Sequence, residues 1–110
     1  MNSPFDFRWW YPALNRMEYD LSIRDLDLFN QIKSGNVIPL QYTGLKDVNG
    51  IKIYDGDIIE CWGRELVIKW EASDASFFAE SFDQSIYESG QEWGNNCVVV
   101  GNIWERSYEL

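Results

Sequence analysis

The sequence contains no histidine, which excludes every mechanism that depends on an imidazole general base or an imidazole metal ligand. Its two cysteines, Cys61 and Cys97, are too few for a closed zinc site, which needs four ligands. No apolar run approaches the roughly 18–20 residues that span a bilayer. The N-terminus also lacks the basic flank and apolar stretch of a secretory signal. We therefore expect a cytoplasmic protein with no membrane partner, whose cysteines are reduced, buried and dispensable.

Basic residues are scarce, above all in the second half of the chain. Nine Lys and Arg stand against eighteen Asp and Glu, and no base occurs between Glu71 and Glu92. Because nucleic acids are held largely by Lys and Arg on their phosphates, we expect no binding to DNA or RNA at a net charge of −9. Two interpretations of the acidity stay open. The acidic residues keep the surface solvated, or they form a face that docks onto a basic partner.

The residues that are present form no catalytic or cofactor motif. The chain has neither Gly-x-Gly-x-x-Gly nor Gly-x-x-x-x-Gly-Lys, so it lacks the loops that cradle phosphates. Asp55 and Asp57 share one face of an extended segment, but no further oxygen ligands follow at a fixed spacing. Turn carboxylates explain this pair better than a metal site or acid–base chemistry. We therefore predict a protein that is not an enzyme and that carries no cofactor and no metal.

Apolar residues alternate along several short segments, which is the pattern of half-buried strands. The predicted strands are Phe5–Tyr11, Met17–Leu21, Val37–Tyr42, Asp57–Trp62, Glu65–Trp70, Ser76–Phe82 and Cys97–Trp104. Asn49-Gly50 predicts a hairpin with a type I′ turn, because both residues tolerate a positive φ. Thr43–Asp47 and Asp83–Asn96 are predicted loops. Short strands joined by tight turns predict a mainly β fold, a small barrel or roll with an N-terminal β-hairpin.

One segment, from Ser22 to Gly35, changes to helical spacing. Leu28 and Ile32 fall four residues apart, and Phe29 joins them on one broad apolar face. Ser22 is the predicted N-cap, and Gly35 is the predicted end of the helix. The sequence therefore predicts one short helix inserted between the N-terminal hairpin and the remaining strands.

Three segments of the chain carry a family resemblance. The first reads Gln41-Tyr42-Thr43-Gly44-Leu45-Lys46-Asp47, then Asn49-Gly50, then Ile53-Tyr54-Asp55-Gly56-Asp57. The others are Phe7-Arg8 and Gly101-Asn102-Ile103-Trp104. Together these segments resemble the YopX family, whose members are small proteins encoded by bacteriophages and prophages. The resemblance implies an SH3-like barrel in a single domain of residues 1–110, with the hairpin and helix in 1–36 and the barrel-like part in 37–110. It implies no established activity.

Six tryptophans are too many for one small core, because each buried indole N–H needs a partner. We predict that at least two of them are partly exposed, and that Trp10, opposite the apolar face of its strand, is one of the two. Trp93 is predicted either to project from its polar loop or to cover one end of the barrel. The predicted protein-binding residues are Trp10, Trp93, Glu88, Glu92, Thr43, Lys46 and Asp47.

These features favour a phage-type accessory protein that acts as a non-enzymatic protein-binding module with an unidentified protein partner. Two alternatives stay open. One is an acidic nucleic-acid mimic that occupies a basic host protein, and the other is a homo-oligomeric structural protein.

Overall fold

A computed structural model of the chain describes residues 6–19, 26–89 and 93–106. The strands are β1 (Phe7–Tyr11), β2 (Arg16–Glu18), β3 (Ile38–Lys46), β4 (Lys52–Tyr54), β5 (Asp57–Cys61), β6 (Arg64–Glu71), β7 (Ser76–Ser81), β8 (Tyr87–Ser89) and β9 (Cys97–Asn102). The helices are α1 (Leu26–Lys33), α2 (Trp93–Asn96) and α3 (Ile103–Arg106). The predicted mainly β fold is confirmed. The prediction of a loop over Asp83–Asn96 is wrong where β8 and α2 form, and α3 begins within the strand predicted over Cys97–Trp104.

The strands form two antiparallel sheets, one in the order β2-β1-β3-β4 and the other in the order β8-β7-β6-β5-β9. The predicted N-terminal hairpin is the β1–β2 pair, whose connection ends at Asn15 in the left-handed region. β1 also pairs with β3, where Trp9 lies opposite Pro39. The four-stranded sheet therefore combines the N-terminal hairpin with strands that follow residue 37.

Thr43–Asp47 was predicted as a loop, and this prediction is wrong for all but its last residue. β3 continues to Lys46, which pairs with Lys52 of β4. Two extra residues on β3 are absorbed by a bulge that contains Gly44, whose φ of +89° favours glycine. Thr43 holds the bulge, because its hydroxyl donates to the Ile53 carbonyl at 2.8 Å.

Helix α1 forms inside the predicted helical segment. Leu28 is buried with Trp9 and Val37, and Ile32 packs against the same cluster. Phe29 is exposed instead, so the apolar face is narrower than its spacing predicted. The helix ends as predicted at Gly35, whose φ is +82° and whose N–H donates to the Ile32 carbonyl. The predicted N-cap, Ser22, lies outside the described residues.

The type I′ turn predicted at Asn49-Gly50 is also wrong. Gly50 has a positive φ, but Asn49 does not. The carboxylate of Asp47 accepts the N–H groups of Asn49 and Ile51, both at 2.9 Å, and so selects a different turn. The type I′ pattern occurs instead between β5 and β6, where Trp62 (φ 53°) and Gly63 (φ 78°) form the two-residue loop.

The prediction of reduced cysteines is wrong, although both are buried as predicted. β9 returns along β5, so Cys97 lies directly opposite Cys61 with their Cα atoms 4.5 Å apart. At that separation the two side chains form a disulfide. The spacing of 36 residues along the chain gave no sign of this pairing, because strand order decides it.

The main core lies on one face of the five-stranded sheet. It contains Ile59, Leu66, Ile68 and Ala79, together with the disulfide and Trp93. The register of β9 against β5 shifts next to Gly101, which marks a β-bulge in β9. No helix within the described ranges is long and apolar enough to cross a membrane.

Candidate functional site

Trp10 and Trp93 lie in the core, so the predicted exposure of Trp10 is wrong, and so is the projecting alternative for Trp93. Their exposed fractions are 5% and 2%. Trp10 shares the β1 face with Arg8, and that face is turned towards β5, where Arg8 reaches Asp57. The other face of β1 packs against α1. β1 is thus buried on both faces, which its alternation of side chains could not reveal.

The remaining predicted residues are dispersed. Lys46 is exposed at the end of β3, whereas Thr43 and Asp47 make the structural hydrogen bonds already described. Glu88 is exposed on β8, at the opposite edge of the five-stranded sheet from β9. Glu92 lies outside the described residues. The structure therefore does not bring these residues together into one surface.

A groove between the two sheets is the candidate site that the sequence did not reveal. It has a volume of about 530 Å³ and is lined by residues of β1, β4, β5 and β9. β4 and β9 are each the last strand of a sheet. The groove therefore lies between two strand edges that no other described strand covers.

The floor of the groove is a buried ion pair. Arg8 Nη2 donates to Asp57 Oδ1 at 2.7 Å and to the Asp55 carbonyl at 3.3 Å. Asp57 Oδ2 accepts the Tyr54 N–H at 2.8 Å. Burial raises the pKa of Asp57, and the neighbouring Arg8 opposes this shift. Both carboxylate oxygens are thus used in joining β1 to the β4–β5 turn.

Asp47 lies behind the lining of the groove and bonds to Val99, one of the lining residues. Its carboxylate accepts the Val99 N–H of β9 at 2.8 Å, in addition to the two N–H groups of its own turn. The Val48 N–H donates to the Cys97 carbonyl. These bonds join the β3–β4 turn to part of the β9 edge and explain why a carboxylate is buried there.

The rim of the groove carries one cation and one anion. Lys52 Nζ donates to Asp6 Oδ2, and this hydrogen bond raises the pKa of Lys52. The Lys52 ammonium also lies 5.2 Å from the ring centre of Tyr42. Tyr19 packs edge-on against Tyr54, with ring centres 6.0 Å apart, and its ring is half exposed beside the groove.

The start of α3 packs against the turn before β5. Gly56 has a φ of +86°, and a Cβ there would overlap the indole of Trp104. The Ile103 N–H donates to the Gly56 carbonyl at 2.9 Å. Asn102 caps the start of α3, because its Oδ1 accepts the Glu105 N–H at 2.8 Å. Its Nδ2 also donates to the Glu105 carboxylate at 2.8 Å.

The three segments that carry the family resemblance therefore meet around this groove. Phe7-Arg8 supplies the guanidinium, Ile53–Asp57 supplies the carboxylate and the tight turn, and Gly101–Trp104 supplies the wall and the packed indole. These segments are far apart in the sequence, so the family motifs alone did not indicate that they form one groove. Within the described ranges, no three His, Cys, Asp or Glu side chains are grouped to hold a metal ion.

The backbone of β4 is oriented towards the groove at Lys52. The carbonyls of Ile51 and Ile53 accept bonds from Asp47 and Thr43 of the β3 segment, so both point away from the groove. Because successive peptide groups alternate in direction, the N–H and C=O of Lys52 point into it. The Val99 C=O of β9 points to the groove side as well, since the Val99 N–H does so.

Comparisons with known proteins agree with this fold. A family model described as YopX protein matches residues 7–110. A crystal structure of the protein EF1440 from Enterococcus faecalis is similar, with a TM-score of 0.65 and 24% identity over 96% of each chain. At that identity the likeness concerns the fold alone. No curated protein sequence matches the chain.

Proposed function

The chain belongs to the YopX protein family, and from its groove we propose that it is a non-enzymatic module that binds an extended segment of a partner protein. The observation that carries the proposal is the approach of two strand edges, β4 and β9, across one groove, where no other described strand pairs with them. Addition of a strand to an exposed sheet edge is a general mode of peptide recognition, in which main-chain hydrogen bonds supply affinity.

The dimensions of the groove favour a short segment. Asp47 occupies the β9 edge at one end, and Asp57 occupies the Tyr54 N–H at the other. Between them, the N–H and C=O of Lys52 and the C=O of Val99 face the groove, whereas the Val99 N–H is taken by Asp47. A segment of a few extended residues fits this window, with its polar side chains directed at the Lys52–Asp6 pair on the rim.

Binding without catalysis fits the chemistry of these residues. Arg8 and Asp57 are fixed by each other, and the Asp57 oxygens are both engaged as hydrogen-bond acceptors. Lys52 is held by Asp6, and burial raises the pKa of Tyr54, so its phenol stays protonated at neutral pH. These side chains are thus engaged with one another rather than directed at a bound substrate.

We further propose a phage or prophage accessory role in the bacterial cytoplasm, with a protein rather than a nucleic acid or a membrane as partner. The family resemblance supports the setting, and the net charge of −9 supports the choice of partner.

Site-specific photo-crosslinking in the native host tests the binding mode. A photoreactive residue at Ile51, which is exposed beside the groove, should capture a partner polypeptide. The same residue at Leu14, which is equally exposed on the connection between β1 and β2, should not. Equal capture at both positions would contradict the groove as the binding site.

A matched pair of variants separates main-chain from side-chain recognition. Lys52→Pro removes the N–H that faces the groove, and proline is tolerated on an edge strand. Lys52→Ala removes the ammonium but keeps that N–H. Capture at Ile51 should be lost in the first variant and largely retained in the second, with both shown to be folded by circular dichroism. Equal capture by the two variants would contradict strand addition.

A further inference from the structure

Trp62 occupies the tip of the β5–β6 hairpin in an unusual state. It is the most exposed of the six tryptophans, at 66%, and its φ of 53° lies in the left-handed region. Asn or Gly normally fills such a position, because a side chain with a Cβ and a bulky ring is disfavoured there. The hairpin therefore carries a large apolar group outward at a cost to its own backbone.

A notch of about 260 Å³ lies beside this indole. Its apolar lining is formed by Cys61, Leu66 and Ile86. Arg64 and Glu88 lie on its rim, both exposed, and neither forms an ion pair with any residue that the structure describes. The same patch thus combines the exposed Trp62 ring, the notch, and one cation and one anion that form no ion pair with the described residues.

The residues of the notch are held in place by the core, the disulfide and hydrogen bonds. Leu66 belongs to the main core, and Cys61 is held by the disulfide. The turn before β8 is organised by Asp83, whose carboxylate accepts the hydroxyls of Ser81 and Ser85, and these bonds lower the Asp83 pKa to about 2. The Ile86 carbonyl accepts the Ser81 N–H, which fixes the start of β8 beside the notch.

We propose that this patch is a self-association surface whose occupant is a second copy of the chain. In a two-fold arrangement the same patch meets itself, so every group must find its complement within the patch. Trp62 of each copy enters the other's notch, which is large enough for one indole. Arg64 then meets the partner's Glu88, and the same contact recurs across the axis. This inference does not rest on the function proposed for the groove.

Sedimentation equilibrium of the purified chain tests the proposal. We expect a reversible monomer–dimer equilibrium that Trp62→Asn weakens by about tenfold or more, as for a central tryptophan of an interface. Asn suits the left-handed position, so this variant keeps the turn. Trp70→Phe, which alters an exposed indole elsewhere on the sheet, should leave the equilibrium unchanged. A wild-type chain that stays monomeric at every concentration, or a dimer indifferent to Trp62→Asn, would overturn the proposal.

Charge reversal tests the two-fold arrangement itself. Arg64→Glu and Glu88→Arg should each weaken their own homodimer, because every Arg64–Glu88 contact becomes a contact of like charges. When the two variants are mixed, both contacts across the axis regain opposite signs. The mixture should therefore form a heterodimer tighter than either homodimer. A mixture no tighter than the homodimers would overturn this arrangement.

Discussion

At the junction of the two sheets, three charged side chains are almost completely buried, whereas at the tip of the β5–β6 hairpin an indole is mostly exposed. Charged side chains are usually exposed and large aromatic rings are usually buried, so both arrangements are unusual. At the junction the cost is offset within the fold, because Arg8, Asp47 and Asp57 together make hydrogen bonds to β1, β4, β9 and two turns. At the tip, Trp62 makes no comparable hydrogen bond or ring contact with the residues that the structure describes.

The contrast separates two kinds of unusual residue. Where a costly residue is fully used by the fold, its replacement should change stability. Where it is not used, its replacement should leave stability intact or improve it, and should change an interaction with another molecule instead. Substitutions at the junction should therefore lower the free energy of unfolding. Substitution of the indole at the tip should not lower it.

The largest effect is expected at the junction. Arg8→Met leaves the Asp57 carboxylate buried without its cation, which should lower the free energy of unfolding by up to about 5 kcal/mol at pH 7. Without Arg8, the pKa of Asp57 should rise further above its unfolded value. A raised folded-state pKa gives stability that is complete below the unfolded pKa and is lost as pH rises through the folded pKa. The variant should therefore regain stability between pH 7 and pH 4, measured by urea denaturation.

The control for this experiment is Lys52→Met. Lys52 forms the partly exposed ion pair with Asp6, and such pairs contribute about 1 kcal/mol or less. A loss in Lys52→Met as large as that in Arg8→Met would remove the distinction between the buried and the exposed pair. Stability of Arg8→Met that falls on acidification would contradict the direction of the Asp57 shift.

The next effect concerns the disulfide that connects the hairpin to β9. Closing a loop of 36 residues stabilises a fold by about 4 kcal/mol in the chain-entropy description. The double variant Cys61→Ala/Cys97→Ala should lose about that much free energy of unfolding. Thiol titration of the wild-type chain in denaturant without reductant should find no free thiol. Two reactive thiols there would contradict the pairing.

Much of this fold follows from local pattern. Alternation located β5, β6 and β7, and the glycine after α1 located its end, because these signals arise from neighbouring residues. Two failures depended on distant residues: Trp10 is buried because both faces of β1 are covered, and Cys97 meets Cys61 only because β9 pairs with β5. The turn at Gly50 was wrong for a local reason, because the nearby Asp47 carboxylate determines its type.

The candidate site could be predicted only in part. The residues of the groove were present in the family motifs, but their meeting requires the order of strands in both sheets. Asp47 was predicted as a protein-binding residue, but its carboxylate accepts the N–H groups of its own turn, and its bond to Val99 depends on tertiary structure. Trp62 was missed because a tryptophan in a type I′ turn contradicts the residue preferences on which turn prediction rests.

A smaller effect is expected at the glycine of the β3–β4 turn. Gly50 has a φ of +80° and open space around its Cα, so a new side chain would meet no neighbour. Gly50→Val should still lower the free energy of unfolding by about 1–3 kcal/mol, because a β-branched residue is strained at that φ. Gly50→Asn should lose much less, since Asn tolerates the left-handed region. An equal loss in the two variants would show that the backbone conformation is not the cause.

The smallest effect should have the opposite sign. Trp62→Asn relieves the left-handed strain while removing a ring that is 66% exposed, so the free energy of unfolding of the monomer should rise by about 1 kcal/mol. Trp70→Asn is the matched control on the same sheet, because Trp70 is extended and packs edge-on against Phe77 with ring centres 4.9 Å apart. That variant should be destabilised. Urea denaturation at concentrations too low for association measures both. If Trp62→Asn were destabilised as much as Trp70→Asn, the exposed indole would be part of the fold, and the contrast between tip and junction would disappear.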